Sequence, residues 1–205
     1  MALTLPYAHL NLRRNPFGEL EPEERAELAV TEVVDLAERL RRPGVAVQLL
    51  GGSGCGKTTH LLALRRRFRG APFVKVIQGV RTRVPAGNPV FVDDVHLLPP
   101  TCRRRLFRRP VSFALTTHCD LSADLVRCGL EPLVVRPAEA LDADRLERLV
   151  HLRIEAARRG SGPLPRVTRA AAEKLLGRHG HDVRSMEQML YGAFVELKER
   201  GDVEV

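Results

Sequence analysis

Tryptophan is absent from this 205-residue chain, and only 4% of it is aromatic. So few rings give no support to a base-stacking platform of the single-strand-binding type. Lysine occurs only at Lys57, Lys75, Lys174 and Lys198, so the net charge of +8 is carried by arginine. Such a bias also follows from GC-rich coding, and charge alone does not establish a nucleic-acid partner. The four cysteines, Cys55, Cys102, Cys119 and Cys128, make no C-x-x-C pair and no zinc spacing. Reduced thiols and a cytoplasmic location are the expectation. Long apolar runs are missing too: the apolar stretches are strand-sized and broken by charge, which argues against membrane insertion. Met1 to Leu12 lacks the basic region and continuous apolar core of a secretory signal.

What is present begins at Val45. The apolar, β-branched run Val45–Leu50 leads into Gly51, Gly52, Ser53, Gly54, Cys55, Gly56, Lys57 and Thr58, followed by Thr59 and the helical pattern His60–Leu64. This is G-x-x-x-x-G-K-[ST] between a strand and a helix, the context that gives the motif its meaning. Glycines let the backbone wrap a polyphosphate with its N–H groups turned inward at the positive end of a helix. Lys57 reaches the β/γ-phosphates and the Thr58 hydroxyl ligates Mg²⁺. Residues Gly51 to Thr59 are therefore the expected nucleotide-binding segment.

A P-loop enzyme also needs a carboxylate at a neighbouring strand's end to hold the metal, and a second to orient and deprotonate water. Val90-Phe91-Val92 ends in Asp93-Asp94, about 35 residues further on. Asp93 is assigned to the metal and Asp94 to the water. The next apolar strand, Val111 to Thr117, carries hydroxyls at its tip. Thr117 is the first choice to hold the nucleophilic water and Thr116 the alternative, while His118 reads first as an ordinary loop histidine and second as a residue that tunes the site.

The remaining chain sorts into regions. Residues 1–20 read as an extended lead-in. From Glu21 a helix is signalled by Pro22 and by acids in its first turn. Arginines fill its last turn, and Pro43-Gly44 stops it. After the P-loop helix, strands are expected at Phe73–Gln78, Pro89–Val92, Val111–Thr117 and Leu133–Arg136. Several are apolar on both faces, as a parallel sheet covered by helices requires. The expected fold is α/β: a doubly wound parallel five-stranded P-loop sheet over residues 21–138, then a small C-terminal α-helical subdomain over 139–205. The latter has helical stretches at Leu141–Arg159, Thr168–Arg178 and Val183–Arg200.

With Walker A at Gly51–Thr58, Walker B at Val90–Asp94 and a sensor 1 strand at Val111–Thr117, the chain resembles an AAA+ ATPase. The helical tail resembles that family's lid, and Gly180–Leu190 its sensor 2 helix. The resemblance implies ATP and Mg²⁺ as cofactors, with Arg184 sensing nucleotide when the lid closes. It places the arginine finger at Arg127, in Leu121–Leu130. Such a finger implies self-association in a ring or filament with the site shared between subunits. Asn15-Pro16-Phe17 is similar to small bacterial members of the TniB-like and ExeA-like kind. Asp-Asp in place of Asp-Glu is similar to helicase loaders, initiators and STAND NTPases.

The chain departs from the family where only Gly79–Asn88 separates two strands. The usual intervening helix with its pore loop is expected to be missing, which disfavours a threading motor. The expected function is an ATP-hydrolysing assembly switch, DNA-associated through Arg103, Arg104, Arg105, Arg108 and Arg109, with a protein partner besides. Those arginines equally suit a merely solvated basic surface. The alternative is a STAND-like or scaffold NTPase that hydrolyses slowly and binds protein instead of DNA.

Overall fold

The computed structural model describes residues 6–205, so the first five residues of the lead-in lie outside it. The chain divides into two compact units: one takes the chain as far as Val30 together with Leu141–Val205, the other Thr31–Ala140. Among the described residues no helix is long and apolar enough to cross a membrane.

The unit spanning Thr31–Ala140 is an α/β layer. Its strands are β1 (Val45–Leu50), β2 (Phe73–Lys75), β3 (Val90–Asp93), β4 (Phe113–Thr117) and β5 (Glu131–Val135). All pairings are parallel, in the order β2-β3-β4-β1-β5. Its helices are α2 (Val34–Leu40), α3 (Lys57–Arg65), α4 (Pro100–Phe107) and α5 (Ser122–Arg127). Strands β1, β3 and β4 are buried at every position, while the edge strands β2 and β5 are mostly half-buried. That pattern is what a sheet covered on both faces produces. Side chains alternate accordingly. Val90, Val92, Phe113 and Leu115 pack with Leu106, Phe107 and Leu125 from α4 and α5. Phe91, between them in sequence, turns the other way to meet Phe68 just beyond α3. Between β2 and β3 the chain forms no helix. Arg109 ties this connection down, its guanidinium donating to the carbonyls of Val84 and Pro85.

Polar groups are also buried in this unit, Gln48 among them. Gln48, fully buried in β1, donates to Asp120 at 3.0 Å and Ser122 at 3.3 Å and accepts from the Leu121 N–H at 2.6 Å. It thereby fixes the loop between β4 and α5.

The other unit contains α1 (Pro22–Glu27), α6 (Ala143–Ala156), α7 (Arg169–His179) and α8 (Val183–Glu196), the last three supplying the core residues Leu146, Val150, Ile154, Leu175, Leu190 and Phe194. Side-chain caps fit the helix starts: Asp142, Thr168 and Asp182 each accept a backbone N–H from the first turn. The lead-in belongs to this core. Leu10 and Leu12 are fully buried, Arg13 N–H donates to Ala157, and Phe17 meets Phe194 edge to face at 5.2 Å.

The single helix expected from Glu21 to Arg42 is two, α1 and α2. Between them lie Val30, Thr31 and Val33, β-branched residues with weak helix preference. Arg145 also takes the Val30 carbonyl with two donors, at 3.0 and 2.7 Å, and so competes for an acceptor the helix would use.

Arg153 is the unexpected centre of this unit. It is only 7% exposed, donates to Pro16 and Gly18 carbonyls at 2.8 and 2.9 Å, and pairs with Glu187 at 2.8 Å. Its pKa is lowered, chiefly by burial, with Glu187 opposing that shift. Arg153→Ala should cost about 3 kcal/mol, because it strips several charged hydrogen bonds from buried acceptors. A lowered urea midpoint for unfolding measures the loss.

Candidate nucleotide site

The site elements all lie in the Thr31–Ala140 unit, at the C-terminal edge of the sheet. Inserting β4 between β1 and β3 sets the geometry. Leu50 pairs with Thr117 and Val92 with Leu115, so the ends of three strands come level. Gly51 N–H continues the ladder to the Thr117 carbonyl at 3.3 Å.

The loop from Gly51 to Gly56 turns into α3 through two left-handed glycines, Gly54 (φ 78°) and Gly56 (φ 83°). A side chain at either would be strained, which is why this loop needs glycine there. At Gly51 the reason is contact: a Cβ would stand 2.7 Å from the Cys55 sulfur. Gly52 faces open space. Lys57 opens α3, is 6% exposed, and donates from Nζ to the Gly52 carbonyl at 2.5 Å. An ammonium group folded on to the loop stands at the place where a polyphosphate would be wrapped. Ser53 is exposed on the loop and Thr59 half-buried in the first turn of α3.

Thr58 and Asp93 meet. The threonine hydroxyl lies 3.1 and 3.2 Å from the two carboxylate oxygens. Asp93 is fully buried, and its other hydrogen bond comes from Thr116 Oγ1 at 2.7 Å. Among the described residues no ion pair neutralises it. A buried carboxylate served only by hydroxyls is costly unless a cation is near. Hydroxyl plus carboxylate oxygen is also the donor set of Mg²⁺, which takes few protein ligands and fills the rest with water and phosphate. The residues therefore fit that ion.

Asp94 follows in the left-handed region, φ 58° and ψ 43°, which aspartate tolerates better than most residues. Its N–H donates to Thr116 Oγ1 at 2.7 Å. One hydroxyl thus locks both carboxylate-bearing residues, donating to Asp93 and accepting from Asp94. Thr117, the first choice from the sequence, is used otherwise. Side chains alternate along a strand, so Thr117 points away from the face that Thr116 occupies. Its hydroxyl donates to the Cys119 carbonyl at 2.8 Å and accepts the Cys119 N–H at 3.2 Å.

Two histidines complete the surroundings. His96 and His118 stack with ring centroids 4.5 Å apart and planes 21° from parallel. Together with Asp94 they bring three metal-capable atoms within 4.8 Å of one another. The His96 pKa is lowered, first by burial and next by the charge on His118, with Asp94 opposing. His118 reads from the sequence first as a loop residue and second as one that tunes the site, and His96 has no reading there, although its place two residues after Asp94 is a usable signal.

The arginines are dispersed. Arg127 ends α5, three-quarters exposed, with Asp124 at 3.3 Å; the same Asp124 holds Arg103 at 3.2 Å. Arg103 and Arg109 therefore serve the fold, while Arg104, Arg105 and Arg108 are exposed. Arg184 is exposed in the first turn of α8, in the other unit.

No protein-family model matches the chain, and no curated protein does. Solved structures do. A point mutant of RuvB from Thermotoga maritima aligns over 82% of this chain and 60% of its own length, at 16% identity and a TM-score of 0.52. The T. maritima RuvB Holliday junction branch migration motor aligns over 84% of this chain and 60% of its own, at 17% identity and a TM-score of 0.51. The chain spans about 60% of the length of these structures. What it shares with them is the fold: a five-stranded parallel sheet with flanking helices and further helices C-terminal to it.

Proposed function

We propose that this chain binds ATP with Mg²⁺ and hydrolyses it as an assembly switch. The observation that carries the reading is one connected set: Thr58, Asp93, Thr116 and Asp94 hydrogen-bonded together beside a P-loop whose lysine is buried against it. In this reading the loop N–H groups and Lys57 bind the phosphates, while Thr58 and Asp93 hold the metal, whose charge offsets that of the phosphates. Asp94 orients the attacking water and accepts its proton. Thr116 keeps both carboxylates in place. For Thr117 to read the γ-phosphate, its hydroxyl must first leave Cys119.

Self-association supplies the rest. Arg127, exposed at the end of a short helix, is the residue we assign to a neighbouring subunit's γ-phosphate. Arg184 is assigned to the same phosphate within its own chain, with the C-terminal helical unit as lid. Loss of the γ-phosphate withdraws these contacts, which makes the assembly a two-state element. The connection between β2 and β3, which holds no helix, supports a switch over a threading motor. The exposed Arg104, Arg105 and Arg108 are assigned to DNA phosphates, and a protein partner is expected beside them. We place the chain in the cytoplasm.

ATP turnover measured with and without double-stranded DNA at two salt concentrations tests the reading. Stimulation that fades steeply with salt is expected, as release of counterions demands. Turnover indifferent to DNA removes the nucleic-acid part and leaves the slow, protein-binding scaffold as the better account. Arg127→Ala alone should be inactive. Mixed with Asp94→Asn protein it should recover turnover, because one interface then holds an intact base and an intact finger. No recovery would contradict a shared site.

A further inference from the structure

We propose that Asp94, His96 and His118 form a second metal site, for a first-row divalent transition metal such as Zn²⁺, and that filling it withholds Asp94 from ATP hydrolysis. The inhibitory half rests on Asp94 acting as the base; the metal site itself does not.

The donor set decides the class of ion. Two imidazole nitrogens and one carboxylate oxygen suit zinc and its neighbours, whereas Mg²⁺ prefers oxygen alone. The three atoms already lie within 4.8 Å of one another. Zinc ligands about 2.0–2.2 Å from the ion stand roughly 3.5 Å apart, so the cluster needs to contract by about 1 Å. His118 is exposed on the loop after β4 and can make that movement without repacking the core. The other two ligands are held more firmly. Asp94 is fixed by its N–H bond to Thr116, and His96 sits in the short helical turn that follows it.

A second observation points the same way. His96 Nδ1 is buried and has no hydrogen-bond partner among the described residues. Buried polar atoms are nearly always satisfied, and an exception beside a carboxylate and a second imidazole calls for an explanation. A metal ion supplies one. This site is separate from the Thr58–Asp93 pair, where both donors are oxygen. A single ion at Asp94 would nonetheless stop turnover, because a carboxylate bound to zinc does not accept a proton from water.

Zn²⁺ titration of the metal-stripped full chain against a chromophoric chelator tests the site without any nucleotide. Binding is expected that weakens more than tenfold in His118→Ala and again in His96→Ala. The exposed cysteines are the competing explanation, so Co²⁺ is bound as well. Its spectrum should lack a thiolate charge-transfer band. No zinc binding, binding unchanged in both variants, or a thiolate band would each overturn the site. His118→Ala is the safer variant, since its exposed side chain contributes nothing to the core.

Turnover then tests the inhibitory half. Under excess Mg²⁺, zinc should suppress ATP hydrolysis at least tenfold, reversibly with chelator, and His118→Ala should resist. Zinc held by these residues with turnover undiminished overturns inhibition and counts against Asp94 as base. A chain that never hydrolyses ATP defeats the functional reading instead, and the zinc titration still decides the site.

Discussion

Asp94→Asn should bind ATP with nearly unchanged affinity and turn it over at least about 100-fold more slowly, the span a general base contributes. The amide is isosteric and its backbone can keep the left-handed conformation, which asparagine tolerates as well as aspartate. The bond from the position 94 N–H to Thr116 survives, since it involves only backbone. What disappears is the proton acceptor. Fluorescent-nucleotide binding together with single-turnover phosphate release separates the two effects. A parallel loss of affinity would mean that Asp94 holds the metal or the loop and not the water.

Thr116→Val should damage both stability and turnover, and Thr117→Val much less of either. Valine nearly matches threonine in volume, so the comparison isolates the hydroxyl. At position 116 that hydroxyl is buried between Asp93 and the Asp94 N–H, each at 2.7 Å. Without it the part-buried Asp94 N–H loses its acceptor and a buried carboxylate loses a donor, for a cost of about 1–3 kcal/mol. The two carboxylates also lose the group that sets their relative position, so turnover falls by more than the stability change accounts for. At position 117 the side chain is buried as well, but its hydroxyl bonds the backbone of Cys119, an exposed loop residue, instead of either carboxylate-bearing residue. Chemical denaturation and turnover of the two variants measure the contrast. The reverse order would return the sensing role to Thr117.

The contrast also shows how far the sequence could be read. The strand cores were legible because buried parallel strands are continuous apolar runs, and β1, β3 and β4 have that form. The P-loop was legible because its glycines and Lys57-Thr58 lie next to one another in the chain. Choosing between Thr116 and Thr117 needed the register of β4 against β1 and β3, which places one hydroxyl over Asp93 and turns the next away. Sequence spacing carries no such information. Arg153 was missed for a related reason. Its partners Pro16, Gly18 and Glu187 come from distant segments, and an arginine within a helix full of arginines gives no sign of being buried. The helix expected across Glu21–Arg42 failed because its end signals were read and the β-branched run at its centre was not. His96 and His118 are far apart in sequence, and only the alignment of two strand ends stacks their rings.

The central claim is that the set built on Lys57, Thr58, Asp93, Thr116 and Asp94 hydrolyses ATP. Steady-state phosphate release from Mg²⁺-ATP, compared between the native chain and Lys57→Ala, tests it most directly. Release by the native chain, lost on adding a chelator and absent in a Lys57→Ala protein that still unfolds cooperatively, is the predicted result. Equal release from both proteins, or none from the native chain with or without DNA and at any protein concentration, would contradict it.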